Sequence, residues 1–394
     1  MPGRLEVLGK HTDYAGGRSL LAVIERGIAV AVTPREDAVV RVRDVGEMPG
    51  EVEFPFSPDL TPAIGEWSNY PMTVARRIAR NFPGPLTGAE IAFASDLPSA
   101  AGLSSSSALV VAIFWALSAV NAFRERAEYR AAIMSPEDLA GYLGAIENGS
   151  AFKSLAGDQG VGTAGGSEDH TAILCARPDQ LVAYSFAPIR FERVVPVPDG
   201  HVFAIAVSGV RAPKTGAARE RYNRASALAD ALLRVWRAAT HREDVSLGAA
   251  LASDRGAADT LRDAIRRGEV PEGVAREELL RRLDHFELES VRLIPSALEA
   301  LAAGDLQAFG EIVDRSQRGA EELLGNQVPE TVDLQRRARR LGAVAASAFG
   351  AGFGGSVWAL VERERARGFA EEWVAGLGRA SAFVTRAGAG LQVT

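Results

Sequence analysis

The sequence predicts a soluble α/β protein of two lobes, and three observations carry that reading. The chain has 394 residues, 47% of them hydrophobic and 24% charged, and strand-like runs near its start give way to helical periodicity. That length exceeds what one ordinary core uses, which predicts two domains with a cleft between them. The composition is that of a compact globule rather than a disordered or fibrous chain.

The strand-like runs LEVLG, LLAVIERGIAVAVTP and AVVRVRDV come first, rich in β-branched residues and punctuated by Gly and Pro. A helical segment from about Trp67 to Asn81 interrupts them. The pattern turns helical again from Ser104 to Ala122, and the start signal Ser135-Pro136-Glu137 opens a helix over Pro136–Gly149. A glycine-rich loop runs from Gly157 to Gly166. After Ala187 a Pro-rich turn leads into the strand HVFAIAVSGV, followed by helical stretches over about Arg219–Thr240 and Glu277–Arg339. The lobe boundary is expected near 190 to 200, giving domains 1–195 and 196–394. Internal repeats and heptads are not evident.

A formal net charge of −6 argues against a nucleic-acid partner, since backbone affinity comes from clustered Lys and Arg. The run Arg336, Arg337, Arg339 and Arg340 reads as a solvated helix face. The single cysteine, Cys175, can form no internal disulfide and has no metal-ligand spacing, which fits a reducing cytoplasm. The start MPGRLEVLGKHTDYAGG lacks the features of a signal peptide. Two uncharged stretches, Leu97–Phe123 and Leu341–Val361, reach membrane-spanning length, but Pro98 and a serine run break the first and four glycines break the second. Both read as a loop plus a shorter buried element, and no membrane partner is expected.

Four segments carry chemistry. In LPSAAGLSSSSALVVAIFWAL, small residues and serines stand directly before a long apolar helix. A helix start offers unpartnered N–H groups and partial positive charge, so Pro98, Ala101, Gly102, Leu103 and Ser104 to Ser107 can cradle phosphates. A lone serine there is commonly an N-cap, but four exceed what capping needs. SAFGAGFGGSVWALV is either a tight hairpin or backbone packed closely against another object. GRLEVLGKHTDYAGG crowds Arg4, Lys10, His11, Asp13 and Tyr14 onto a turn, the layout of either a substrate loop or a polar hairpin. In GDQGVGTAGGSEDHTAIL, Asp169 at the edge of a glycine loop could accept a substrate proton or cap a turn.

Together and in this order, the four segments resemble the GHMP kinases, specifically their galactokinase branch. The third is similar to the signature GRxNLIGEHTDYxGG, the first to PxxxGLSSS and the second to GAGFGGCVVAL. The resemblance implies a two-lobed fold, with an N-terminal mixed sheet and helices, a C-terminal antiparallel sheet covered by helices, and the active site in the cleft. It further implies ATP and Mg2+ as cofactors and phosphorylation of a sugar at its anomeric C1 hydroxyl. GGSEDH stands where galactokinases have GGxMDQ, which makes Asp169 the catalytic carboxylate and Arg4 its cationic partner. Ser106 and Glu147 correspond to Mg2+ ligands; Lys10, His11, Asp13, Gly166 and Tyr222 to sugar contacts; Trp67, in WSNY, to a residue flanking adenine, with plain core packing as the alternative. The expected partners are a small-molecule sugar and ATP, and the chain is expected as a monomer, with a weak dimer as the alternative.

Lys10 departs from the pattern, because galactokinases have Glu there, assigned to the sugar 6-hydroxyl. A lysine would attract a carboxylate at that carbon, which makes a uronic acid the alternative substrate; with Lys10 turned to solvent, galactose would still bind. A catalytically silent sugar sensor and a kinase of a non-sugar alcohol are the remaining alternatives.

Overall fold

The computed structural model describes residues 1–46, 50–63, 65–99, 101–210 and 216–393. β1 (Pro2–Leu8), β2 (Arg18–Pro34), β3 (Val39–Asp44), β4 (Gly50–Pro55), β5 (Ala89–Ser95), β6 (Gln180–Ser185) and β7 (Arg190–Pro196) form one sheet, ordered β4-β3-β5-β2-β6-β7 with β1 laid on β2. β3 and β5 run parallel and the other pairs antiparallel. β8 (His201–Val207), β9 (Ala345–Ala348), β10 (Ser356–Glu362) and β11 (Ser381–Thr385) form the second sheet, antiparallel throughout, in the order β11-β8-β10-β9. The expected mixed and antiparallel sheets are both present, and strand membership changes between Pro196 and His201.

β1 explains how a strand carries catalytic groups. Side chains alternate between its faces, so Leu5 and Val7 enter the apolar core while Arg4 and Glu6 share the opposite face and line the cleft. Helices Asn69–Asn81, Ser105–Asn121 and Pro136–Asn148 form within a residue or two of expectation. The last starts on a side-chain cap, with Asp138 N–H donating to Ser135 Oγ at 3.1 Å, and ends at Gly149, where φ is 88°.

The stretch 277–339 is not one helix. It breaks into Arg276–Phe286, a wide turn over Glu287–Leu293, Ile294–Ala302, Leu306–Gly319, a second wide turn over Ala320–Leu324, and Pro329–Arg340. Gly304 and Gly325 adopt the left-handed conformation at two of the breaks, with φ of 70° and 67°. Short helices over Glu168–Cys175, Leu247–Ala252 and Ala257–Arg267 were not anticipated from the sequence.

One apolar cluster joins both sheets, containing Leu5 and Val7 of β1, Ile113 of the helix Ser105–Asn121, Phe203 of β8 and Trp358 of β10. A second cluster, built by helices between 216 and 286 around Trp236, Leu261 and Phe286, takes in Ala15 and so seats the signature turn. Both long uncharged stretches resolve as expected, into a loop with a buried helix and into β9, a turn and β10. Among the described residues, no helix is long and apolar enough to cross a membrane. Arg336 and Arg339 pair with Glu321 and Asp314, consistent with a solvated helix face.

Candidate active site

The turn after β1 presents the signature residues. His11 sits at φ 56°, an unfavourable conformation for a non-glycine residue, and buried Arg282 holds it by donating to the His11 carbonyl at 2.5 Å. A short helical turn, Asp13–Ala15, aims Asp13 at the start of the helix Glu168–Cys175, whose Glu168 N–H donates to Asp13 Oδ2 at 3.1 Å. Gly166 must lack a side chain here, because a Cβ would stand 2.3 Å from that same oxygen. Burial raises the Asp13 pKa, partly offset by the N–H bonds it accepts. His11, Tyr14 and Tyr222 cluster their rings above Asp13, with the His11 and Tyr222 centroids 5.2 Å apart.

Beneath them lies the charged centre. Arg4 Nε donates to Asp169 Oδ1 at 2.7 Å, stands 3.5 Å from Glu168 Oε1, and Arg4 Nη1 donates to the Gly102 carbonyl at 3.2 Å. Burial opposes the Arg4 charge, but Asp169, Glu168 and Glu6 overcome it and hold the guanidinium above its ordinary pKa. Burial, with Glu6 and Asp13 nearby, raises Glu168 well above the carboxylate range. Burial raises Glu6 too, against the pull of Arg4 and Lys10.

The serine run forms the opposite wall. Ser104 precedes the helix Ser105–Asn121 at φ 61° and makes no capping hydrogen bond; its buried hydroxyl has no partner. A helix start left uncapped, with hydroxyls lining a cleft, fits anion binding rather than the capping alternative. Pro98, Gly102 and Ser104 to Ser107 line this wall. Ala101 and Leu103 do not: both side chains are buried behind the loop, which they brace through their carbonyls, Ala101 accepting from Ser356 Oγ at 2.7 Å and Leu103 from Arg4 N–H at 3.1 Å. The glycine-rich turn of the second sheet proves to be both a hairpin and a close approach, since a Cβ on Gly350 would stand 3.0 Å from the Gly102 carbonyl.

Glu147 and Asp169 meet across Ser107, whose Oγ lies 2.9 Å from Glu147 Oε2 and 3.2 Å from Asp169 Oδ2. Ser106 also lines the cleft, but the hydroxyl seated between the two carboxylates belongs to Ser107. One hydroxyl proton cannot satisfy two carboxylates, and hard oxygen donors so grouped fit a divalent ion such as Mg2+. Further along, half-buried Trp67 packs on Phe93 with centroids 6.1 Å apart, and both line the cleft, so the flanking and packing readings of Trp67 are compatible. The whole cavity holds about 870 Å3.

Lys10 corrects the sequence reading. It is fully buried, does not line the cleft, and donates from Nζ to Ser316 Oγ at 2.9 Å; Ser316 in turn donates to Glu289 Oε1 at 2.9 Å. The lysine turns neither to the cleft nor to solvent but inward, where Ser316 bridges it to a buried carboxylate of the C-terminal half. Glu6, Glu168 and His170 line the cleft instead; Glu168 and His170 flank the expected Asp169, while Glu6 was not singled out from the sequence, although strand alternation from Arg4 marks it.

A helix start open to a cleft, facing an arginine–carboxylate pair between a mixed and an antiparallel sheet, defines a phosphotransferase of small molecules. Family models agree in three places: residues 2–34 match the galactokinase galactose-binding signature, 69–176 the GHMP kinases N terminal domain and 297–378 the GHMP kinases C terminal model. A galactokinase of Chloroflexus aggregans is 30% identical over 381 residues, covering 95% of this chain and 86% of that one; one of Roseiflexus is 29% identical, covering 93% and 84%. The crystal structure of Lactococcus lactis galactokinase complexed with galactose superposes with a TM-score of 0.78 at 24% identity, covering 99% and 92%. The mevalonate kinase of Methanococcus jannaschii shares the fold at a TM-score of 0.59 and 14% identity, covering 98% and 96%. The chain belongs to the galactokinase family of the GHMP kinases, ATP-dependent sugar kinases.

Proposed function

We propose that this protein transfers the γ-phosphoryl group of ATP to the anomeric hydroxyl of galactose. The observation that carries the reading is the Arg4–Asp169 pair at 2.7 Å, set between the signature turn and the open helix start. Asp169 orients the C1 hydroxyl and takes its proton as the sugar oxygen attacks the γ-phosphorus in line and the bond to the ADP oxygen breaks. Arg4 pairs with Asp169 and offsets charge spreading over the transferred group, while Asp13, His11 and Tyr222 fix the ring. Backbone N–H groups at Ser105 to Ser107 hold the phosphates. Mg2+, held by Glu147 and Ser107 with Ser106 alongside, would neutralise the phosphates.

The uronate alternative loses its basis with Lys10 withdrawn, and Asp169 opposes a carboxylate-bearing sugar. The intact Arg4–Asp169 pair opposes the silent sensor. The reading takes the protein as a monomeric cytoplasmic enzyme with domains 1–195 and 196–394. It is tested by ADP release with Mg-ATP and galactose, glucose, talose, galacturonate, glucuronate or arabinose. Galactose should lead, and Asp169→Asn should lower kcat by about 10³-fold with nucleotide affinity nearly intact. Equal turnover in that variant, or a uronate in first place, would reject the assignment.

A further inference from the structure

We propose that His170 supplies a nitrogen ligand to the divalent ion, which shifts the site's choice from Mg2+ toward first-row transition ions such as Mn2+. The inference rests on the reading that the ion accompanies the nucleotide at Glu147.

His170 is 1% exposed and lines the cleft, and neither of its ring nitrogens has a hydrogen-bond partner. Either neutral tautomer therefore buries one N–H and one lone pair unmet. Nε2 stands 3.3 Å from Glu147 Oε2, without hydrogen-bond geometry, and Ser107 Oγ stands 2.9 Å from that same oxygen. Adjacent ligands of an octahedral ion with bonds near 2.1 Å are about 3 Å apart. The imidazole nitrogen and the hydroxyl each stand at about that spacing from the same carboxylate oxygen, and a bound ion would occupy the unmet lone pair.

Among the described residues, no group of three or more His, Cys, Asp or Glu side chains is arranged to hold an ion alone. The protein thus contributes part of the shell and the nucleotide phosphates complete it, as is usual for kinase metals. The galactokinase pattern GGxMDQ has glutamine where this chain has His170, so a hard amide oxygen gives way to an imidazole. Imidazole nitrogen suits Mn2+, Co2+ and Zn2+ better than Mg2+.

The test is pulsed electron paramagnetic resonance of the protein loaded with Mn2+ and a non-hydrolysable ATP analogue, prepared with ordinary and with nitrogen-isotope-labelled histidine. The expected spectrum shows a histidine nitrogen coupling that changes with the label, and His170→Gln removes it. In competition titrations, the preference for Mn2+ over Mg2+ should fall at least about tenfold in that variant. Nucleotide-dependent Mn2+ binding that is lost in Glu147→Gln but shows no histidine coupling overturns the role of His170 and leaves the metal position standing. Mn2+ binding insensitive to Glu147→Gln overturns the metal position itself. If His170→Gln does not fold, the isotope comparison on the unaltered protein decides.

Discussion

Replacing Lys10 by methionine keeps the length of a fully buried side chain and removes its charge. Glu289, 1% exposed, then loses the cation linked to it through Ser316, and Glu6 loses an attraction that favours its ionised form. Removing one member of a buried charged pair costs about 3–5 kcal/mol. The lower end applies here, because Lys10 reaches Glu289 through Ser316 rather than directly, and Glu289 Oε1 still accepts from Gly9 N–H at 2.8 Å and from Ser316 Oγ at 2.9 Å. An unfolding entropy of about 2.1 cal/mol/K per residue over this chain is about 0.8 kcal/mol/K, so a loss of about 3 kcal/mol lowers Tm by about 4 °C. Lys10→Glu, which restores the family's residue, brings a third carboxylate beside Glu6 and Glu289 and should lower Tm further. Thermal unfolding followed by circular dichroism measures the shift, and ADP release with galactose and galacturonate measures selectivity. The expected result is a lower Tm with the ratio of kcat/KM between the two sugars unchanged. An unchanged Tm together with an altered sugar ratio would refute the inward placement of Lys10 and restore it as a substrate-reading residue.

Ser107→Ala removes the hydroxyl between Glu147 and Asp169, and apparent Mg2+ affinity, from activity titrated against the ion, should weaken about tenfold with galactose KM little changed. Glu168→Gln tests the buried acid: its folded pKa lies above the ordinary 4.5, so the native state keeps a proton the unfolded chain releases, and native stability falls as pH rises from about 4.5 toward the folded value. Glutamine abolishes that contribution, so in urea unfolding the variant should gain on the unaltered protein between about pH 5 and pH 7; a constant difference would contradict the shift. Cys175, pushed up to about 12 by burial with Glu137 adding, is about one part in 10⁴ thiolate at pH 8, so disulfide reagents should modify it slowly until the protein is unfolded.

The fold and the cleft were legible where local chemistry is repetitive. Apolar alternation marked β1 and β2, a Ser-Pro-Glu start marked the helix Pro136–Asn148, and motif spacing brought Arg4, Asp13, Asp169 and the serine loop to one place. Reading failed where a side chain's direction is set by a partner far along the chain. The polar turn around Lys10 gave no sign that Glu289, nearly 280 residues later, would turn the lysine away from the sugar. The segment 277–339 looked continuous because its wide turns keep helical residues, and its breaks are announced by Gly304, Gly325 and Pro329. Four identical serines carry no register of their own, and it is the helix start that seats the Ser107 hydroxyl between Glu147 and Asp169, with Ser106 beside it on the cleft wall.

The departures from the family pattern are not independent of one another. Lysine at position 10 reverses the charge of the signature's glutamate, while Glu6 and Glu168 stand where the patterns carry asparagine and methionine, so two acidic positions accompany the reversal. The structure places these residues as neighbours: Lys10 and Glu289 both act on Glu6, and Glu6 acts on Glu168. A reversed charge in so buried a setting survives only where nearby charges balance it, since an unpaired buried ion costs several kcal/mol. The lysine is thereby committed to the protein interior, and the cleft keeps the Arg4–Asp169 pair with Glu6 and Glu168 beside it. A neutral sugar presents hydroxyls that pair with carboxyl groups in either protonation state, whereas a uronate would set its own carboxylate against Asp169. The substitution that reads as a change of substrate when position 10 is taken alone therefore acts, in its folded surroundings, to leave the charge of the sugar that fits unchanged.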